Sequence, residues 1–298
     1  MKSKFPRHQT FTSPSLSLER ASVQIEVLEK NVQKEPAVNW YVNNRFFYST
    51  SHSYSFSSLA YSAKRTSTYT GENALSTPEH LAPVFLMWPS RTFNVYVENA
   101  EIPLMDGSAL PFFLGLRNMA GVPEELEFYK APVKDSWNIC DGNGVKCGFV
   151  EIFPSECFEV EYSVERRDQS GATIFESYRS AEIYSPENLY NIFKARTFIL
   201  QEDFERARES GFLTGVTEKN GLLLQKNKET QTFTPSAPFR SLSEPAEHKI
   251  LDLIGDLCFV VPALPQIKIV IHNGGHLEHH KIMEKILPYV SRRNNEKK

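Results

Sequence analysis

The sequence is short of the features that mark several large functional classes. No apolar run reaches the roughly 18 residues of a membrane span. The opening MKSKFPRHQTF has no apolar stretch of the kind that a secretory signal carries. Only four residues are cysteine (Cys140, Cys147, Cys157 and Cys258), none in a CxxC pair, which is too sparse for a disulfide framework. Reduced thiols and a cytoplasmic location are expected. Charge of one sign is also scarce: 33 Lys and Arg face 36 Asp and Glu, a net charge of -3. That near-balance, with the tail SRRNNEKK as the one basic cluster, argues against nucleic-acid binding. There is no P-loop, no dinucleotide fingerprint and no visible internal repeat.

What is present suits a globular protein: 298 residues, 41% hydrophobic and 23% charged, enough for one large or two ordinary domains. Period-2 alternation predicts strands in SVQIEV (Val23, Ile25, Val27), FNVYVEN (Phe93, Val95, Val97), FEVEYSVER (Phe158, Val160, Tyr162, Val164) and IKIVIHN (Ile267, Ile269, Ile271). The Ser-rich SHSYSFSSL alternates too and reads as a strand, and DGNG at 141–144 reads as a hairpin turn. Helices are expected in MDGSALPFFLGLRNMAGVP, with cap-type Asp106 and Ser108, and in SPENLYNIF, capped by Ser185. QEDFERARESG should form a third, closed by Gly211, and a fourth should start at His248. Strands and helices without regular βαβ alternation give an α+β class. The stretch GVPEELEFYKAPVKDS is the best linker, dividing the chain into 1–127 and 128–298.

Three segments could carry chemistry. In EHKILDLIGDL, His248, Asp252 and Asp256 fall at i, i+4 and i+8, one polar line on an otherwise apolar helix. A histidine and a carboxylate so spaced can share one metal ion; a buried ion pair explains them equally well. In LSTPEHLAPVF, Thr77 and Pro78 open a predicted helix with Glu79 and His80 in its first turn. A metal-activated hydrolase could use that pair as base and ligand. The plainer alternative is an acid complementing the helix dipole beside a capping histidine. Pro83 inside that helix should kink or end it. In HNGGHLEHHKIMEKI, Gly274 and Gly275 should allow a tight turn into His276. His279 and His280 could complete a three-histidine cluster, but the pattern favours placing them on the exposed side of the helix.

Read in order, STPEHL, NVYVENAEIPLMDGSALPF, ARTF, EHKILDLIGDL and GGH resemble the zinc-dependent UDP-3-O-acyl-N-acetylglucosamine deacetylase family of lipid A biosynthesis, over residues 76–290. The resemblance implies two similar domains, each a sheet with a pair of helices, the helices packed between the sheets and the site at the junction. It implies His80, His248 and Asp252 as ligands of Zn²⁺ (Fe²⁺ being the alternative ion), Glu79 as general base and His276 as donor to the leaving amine. It further implies Thr197 at the oxyanion, Asp256 orienting His276, Lys249 as a charged neighbour and Phe198 beside the sugar. FILQEDFERARESGFLTGV would shape the acyl-chain passage. The implied partner is an acylated UDP-amino sugar, met by a monomer with no membrane span and at most transient contact with a membrane surface.

The chain departs from that family in places. SPSLSLERAS stands where the family has Gly-Leu-His-Ser-Gly, Phe198-Ile199-Leu200 where it has Phe-Gly-Phe, and Asn273-Gly274-Gly275-His276 where it has Lys-Ser-Gly-His. A reshaped acyl passage and a missing cation follow. Two alternatives stand beside the deacetylase: a paralogue acting on another N-acetyl sugar, and a non-catalytic binding protein whose zinc is closed off by His276 or His279.

Overall fold

The computed structural model describes residues 7–28, 35–51, 60–63, 66–140, 146–167, 173–227 and 232–296. The N-terminal half runs β1 (His8–Ser13), β2 (Ala21–Val27), β3 (Val38–Val42), β4 (Arg45–Ser49), β5 (Ala60–Ala63), β6 (Ser67–Thr70) and β7 (Ala74–Ser76). Two 3₁₀ turns follow, Pro78–His80 and Ala82–Met87, then β8 (Phe93–Val97) and α1 (Leu110–Ala120). Its main sheet has the order β1-β2-β8-β3-β4, with β8 antiparallel to β2 and parallel to β3. Asn43 and Asn44 turn β3 into β4 with φ of 49° and 63°. That left-handed pair is what a two-residue hairpin loop requires.

The second half runs β9 (Phe128–Lys130), β10 (Asp135–Cys140), β11 (Lys146–Pro154), β12 (Phe158–Arg167), β13 (Thr173–Ile183), α2 (Pro186–Phe193), β14 (Phe198–Leu200) and α3 (Gln201–Glu209). It continues through β15 (Leu222–Lys226), β16 (Phe233–Pro235), α4 (Glu244–Cys258), β17 (Leu264–His272) and α5 (His276–Glu296). Its sheet order is β10-β11-β17-β12-β13, with β17 antiparallel to β11 and parallel to β12, and β9 beside the start of β17.

Leaving β9 aside, the two sheets have the same strand order and pairing sense. In each, two hairpins flank a central strand that arrives last. The helical pair of the first half is the 3₁₀ segment before β8 and α1 after it; that of the second is α4 before β17 and α5 after it. The protein is therefore α+β with two similar halves. The four predicted alternating strands have their inward faces as expected: Val23, Ile25, Phe93, Val95, Val97, Phe158, Val160, Tyr162, Ile267, Ile269 and Ile271 are each at most 1% exposed.

Helix α4 is the central element. It packs on β12, β13 and β17, meets α5 and α2, and touches both 3₁₀ turns of the other half. Just past it, Phe259 stacks on Tyr69 and lies against Trp40 and Tyr48, and Tyr48 donates to the Val260 carbonyl at 3.0 Å. Ile250, Leu251, Leu253, Ile254 and Leu257 are all at most 2% exposed, each worth about 1.5–3 kcal/mol of burial.

Several local expectations need correcting. α4 starts at Glu244, four residues before His248, with Pro245 in its first turn. The helix predicted from Pro78 is two 3₁₀ turns. Pro83 lies in the first turn of the second, where its missing N–H has no intrahelical partner to lose, so it neither kinks a helix nor disturbs Glu79. Thr77 is not a side-chain cap: it has φ 60°, and its hydroxyl donates to Ser76 and Ile102 carbonyls. The left-handed residue before His276 is Asn273 (φ 52°), whereas neither Gly274 nor Gly275 has positive φ. α5 extends to Glu296, into the basic tail. The strand read in SHSYSFSSL at 51–59 falls almost wholly, and the DGNG turn wholly, outside the described residues. The four cysteines are free.

Candidate metal and catalytic centre

The polar line on α4 points into the gap between the two halves. His248, Asp252 and Asp256 are 1%, 2% and 0% exposed, and Glu79, His80 and His276 join them at 2%, 5% and 8%. What lets the backbones come so close is Gly255: a β-carbon there would stand 2.0 Å from the Glu79 carbonyl oxygen.

His80 Nε2 and His248 Nε2 lie 3.4 and 3.2 Å from Asp252 Oδ1. The three groups offer ligand atoms within 4.8 Å of one another. His248 Nδ1 donates to the Ala195 carbonyl at 3.0 Å, which leaves the lone pair on Nε2. Asp252 Oδ2 accepts from Lys249 Nζ at 2.8 Å, while buried Oδ1 has no hydrogen-bond partner. An unpartnered buried carboxylate oxygen is costly. Two neutral imidazoles and that oxygen converging on one point are the donor set a divalent zinc-like ion takes. The residues fit a metal. Burial pushes the His248 imidazole below its ordinary pKa. At Asp252, burial opposes ionisation, but His248 and Lys249 outweigh it and hold the carboxyl well below the usual range.

Glu79 faces the same point. Thr66 donates to its Oε1, and Oε2, also buried, has no hydrogen-bond partner. Burial raises its pKa, with the nearby charges of Asp256 and Asp252 adding to that effect and His276 and His80 opposing it. His276 Nε2 sits 3.8 Å from Glu79 Oε1 and 3.9 Å from Asp252 Oδ2. Its Nδ1 donates to Asp256 Oδ2 at 2.8 Å. Burial disfavours the imidazolium, but the charge and hydrogen bond of Asp256 prevail and raise His276 to about 9. Both shifts are upward, which keeps His276 protonated as an acid and makes Glu79 a stronger base than an ordinary carboxylate.

Phe198 is linked to this centre through Lys249, and Thr197 directly precedes Phe198. The Thr197 amide donates to Gly107 at 2.7 Å and its carbonyl accepts from Leu222 at 2.7 Å. Arg196 anchors the segment to α4 by a two-oxygen fork onto buried Glu244, at 2.8 and 3.1 Å. Lys249 Nζ stands 5.8 Å from the centre of the Phe198 ring. Thr197 and Phe198 also edge a cavity of about 500 Å³ lined by Leu16, Leu104, Phe204 and Leu222. α3 and the loop after it, the stretch expected to shape an acyl passage, supply one wall.

His279 and His280 are not on an exposed helix face; both are 0% exposed. His279 Nδ1 donates to Asp256 Oδ2 at 2.8 Å, and its Nε2 accepts from Tyr162 at 3.1 Å. With both nitrogens engaged, His279 does not close the ligand set. Nor were Ser67, Thr66, Arg196 and Glu244 singled out from the sequence. The signal for the two histidines was available: positions i+3 and i+4 from His276 share its helix face.

A family model described as UDP-3-O-acyl N-acetylglycosamine deacetylase matches residues 42–288. The chain belongs to this deacetylase family. Among its relatives are proteins named UDP-3-O-acyl-N-acetylglucosamine deacetylase from Synechocystis sp. (27% identical over 71% of this chain and 73% of the relative), from Syntrophus aciditrophicus (30%, over 68% and 61%) and from Chlamydia trachomatis (28%, over 72% and 71%). No helix among the described residues is long and apolar enough to cross a membrane.

Proposed function

We propose that the protein is a zinc-dependent hydrolase that removes the N-acetyl group from a UDP-3-O-acyl-N-acetylglucosamine, in the cytoplasm, as a step of lipid A biosynthesis. The observation that carries this is the convergence of His80, His248 and the unpartnered oxygen of Asp252 on one buried point, faced by Glu79 and His276. We take the division of the chain near residue 128, so that 1–127 supplies Glu79 and His80 and 128–298 supplies the rest.

His80, His248 and Asp252 would hold Zn²⁺, with Fe²⁺ as the alternative ion. Bound there, the ion supplies a Lewis acid and lowers the pKa of water towards about 7. Glu79 takes the proton of the water that attacks the acetyl carbonyl; its raised pKa suits a base that must later release that proton. The Thr197 hydroxyl donates to the developing oxyanion. Protonated His276, held through Nδ1 by Asp256, delivers a proton from Nε2 to the departing nitrogen, giving acetate and a free amine. Lys249 keeps Asp252 ionised and adds positive charge on the substrate side, Phe198 packs beside the sugar, and the cavity behind it takes the acyl chain.

One feature favours a paralogue with another acylated or N-acetyl sugar. The loop that lacks the family's Gly-Leu-His-Ser-Gly stretch is tied down by Ser17, whose amide and hydroxyl donate to Glu101, and it puts Leu16 into the cavity wall. The deciding experiment is amine release from UDP-3-O-acyl-N-acetylglucosamine by zinc-loaded protein, with Glu79→Ala beside it. Turnover that disappears in the variant supports the reading. Turnover that the variant keeps overturns the base, and none in the wild type moves the substrate to other N-acetyl sugars.

A further inference from the structure

Asp256 has more partners than one dyad requires. Its Oδ2 accepts from two imidazoles, His276 and His279, each Nδ1 at 2.8 Å. Its Oδ1 accepts from the Ser67 hydroxyl. Each of the two extra donors is itself held. His279 must carry its proton on Nδ1 to donate to Asp256, so Nε2 accepts, and Tyr162 supplies the proton at 3.1 Å. Ser67 spends its one hydroxyl proton on Asp256, so at 2.8 Å the His280 Nε2–H is the donor to Ser67. Five buried side chains from three elements (β6, β12 and α5) therefore converge on one carboxylate of a fourth, α4.

We propose that His279, with Tyr162 behind it, and Ser67, with His280 behind it, are positioning residues that fix the Asp256 carboxylate and through it the ring of His276. This rests on the reading of His276 as the proton donor. The geometry supplies the reason. A carboxylate with one partner can rotate about its Cβ–Cγ bond and swap oxygens. Donors fixed on both oxygens remove that freedom and leave His276 Nε2 aimed at Glu79 and Asp252. Burial pushes both His279 and His280 below the ordinary imidazole pKa, so both act as neutral donors and leave the single negative charge of Asp256 to His276. None of the four touches the proposed metal ligands through a hydrogen bond, which separates them from the metal site itself.

The test compares His279→Leu, His279→Asn and Tyr162→Phe with the wild type in zinc-loaded protein. Turnover, zinc content and thermal midpoint are measured together. Residues that orient a metal-bound histidine are worth about 10- to 100-fold, and the same scale is expected for residues that orient His276. His279→Leu should lower kcat within that range with KM and bound zinc unchanged. His279→Asn, which keeps a side-chain N–H donor, should recover most of the loss, and Tyr162→Phe should show a smaller fall. A merely structural histidine would lower the thermal midpoint without the kcat-only pattern or the rescue by Asn. Equal kcat in Leu and Asn variants that both stay folded overturns the proposal. The proton resonances of the imidazole N–H groups give a readout that needs no turnover. The His276 Nδ1–H signal should be slow to exchange in wild type and exchange faster in His279→Leu. An unchanged His276 signal overturns the positioning role even if the substrate proves to be another sugar, whereas a changed signal with no amine release faults only the proposed substrate.

Discussion

Gly255 stands against the carbonyl of Glu79, with room for no side chain: a β-carbon would lie 2.0 Å from that oxygen and 2.7 Å from the Glu79 Cα. The obstacle is backbone, so the cost of relief is movement of α4 away from the 3₁₀ turn. Gly255→Ala should shift the base and His80 relative to His248 and Asp252. A displacement near 1 Å at a reacting centre costs about 100-fold in rate. Steady-state kinetics with a zinc assay check this; a variant within threefold of wild type in kcat shows that the contact does not set the site.

Glu79 is the group whose removal should separate chemistry from metal binding. Loss of a general base costs about 10²- to 10⁴-fold. Glu79→Gln should fall by that amount while the protein retains one zinc, since His80, His248 and Asp252 are untouched. Metal analysis beside turnover decides it, and loss of the metal together with activity would make Glu79 a ligand instead.

Removing the metal should also cost stability. Only the folded chain brings His80, His248 and Asp252 together, so an ion present at 100 times its dissociation constant stabilises by about 2.7 kcal/mol. Exhaustive chelation should lower the thermal midpoint and abolish turnover, and zinc should restore both. An unchanged midpoint on zinc addition would count against the three-ligand site.

Activity should follow a bell-shaped pH profile. Glu79 must be ionised, and burial first of all raises its pKa, so the acid limb should lie above the ordinary carboxylate range. His276 must be protonated, so activity should fall as pH rises through about 9. The same raised pKa adds stability that is complete below the ordinary imidazole value and is lost through about 9. Asp256→Asn removes the countercharge and should move the basic limb to lower pH. A basic limb that stays in place would detach it from His276.

The cavity beside Phe198 makes a further prediction. Val216 lines it together with Phe204 and Leu222, so Val216→Trp should fill part of its volume. kcat/KM should fall for long-chain substrates and stay near wild type for short-chain ones. An equal fall for both would place the acyl group elsewhere.

How much of this was legible beforehand depends on the length over which each signal acts. The alternation of Phe158, Val160, Tyr162 and Val164 is local, and β12 buries those residues as expected. The spacing of His248, Asp252 and Asp256 is equally local, and the helix places all three on one buried line. The 3₁₀ turns at Pro78 and Ala82 were not legible, because proline is accepted in the first turn of either helix type and the choice was made by packing against α4.

By itself the sequence determined the four strongly alternating strands, the helix that carries His248 and Asp252, and the family, because side-chain periodicity and long unusual segments are properties of neighbouring residues. Two similar halves were implied by the family resemblance, but only the tertiary structure decided the strand order they share, since register and strand order leave no repeat of residue identity. It also decided that His279 and His280 turn inward. The helical pattern allowed both histidines an exposed face, and only the arrival of Asp256, Ser67 and Tyr162 from three other elements gave their nitrogens buried partners.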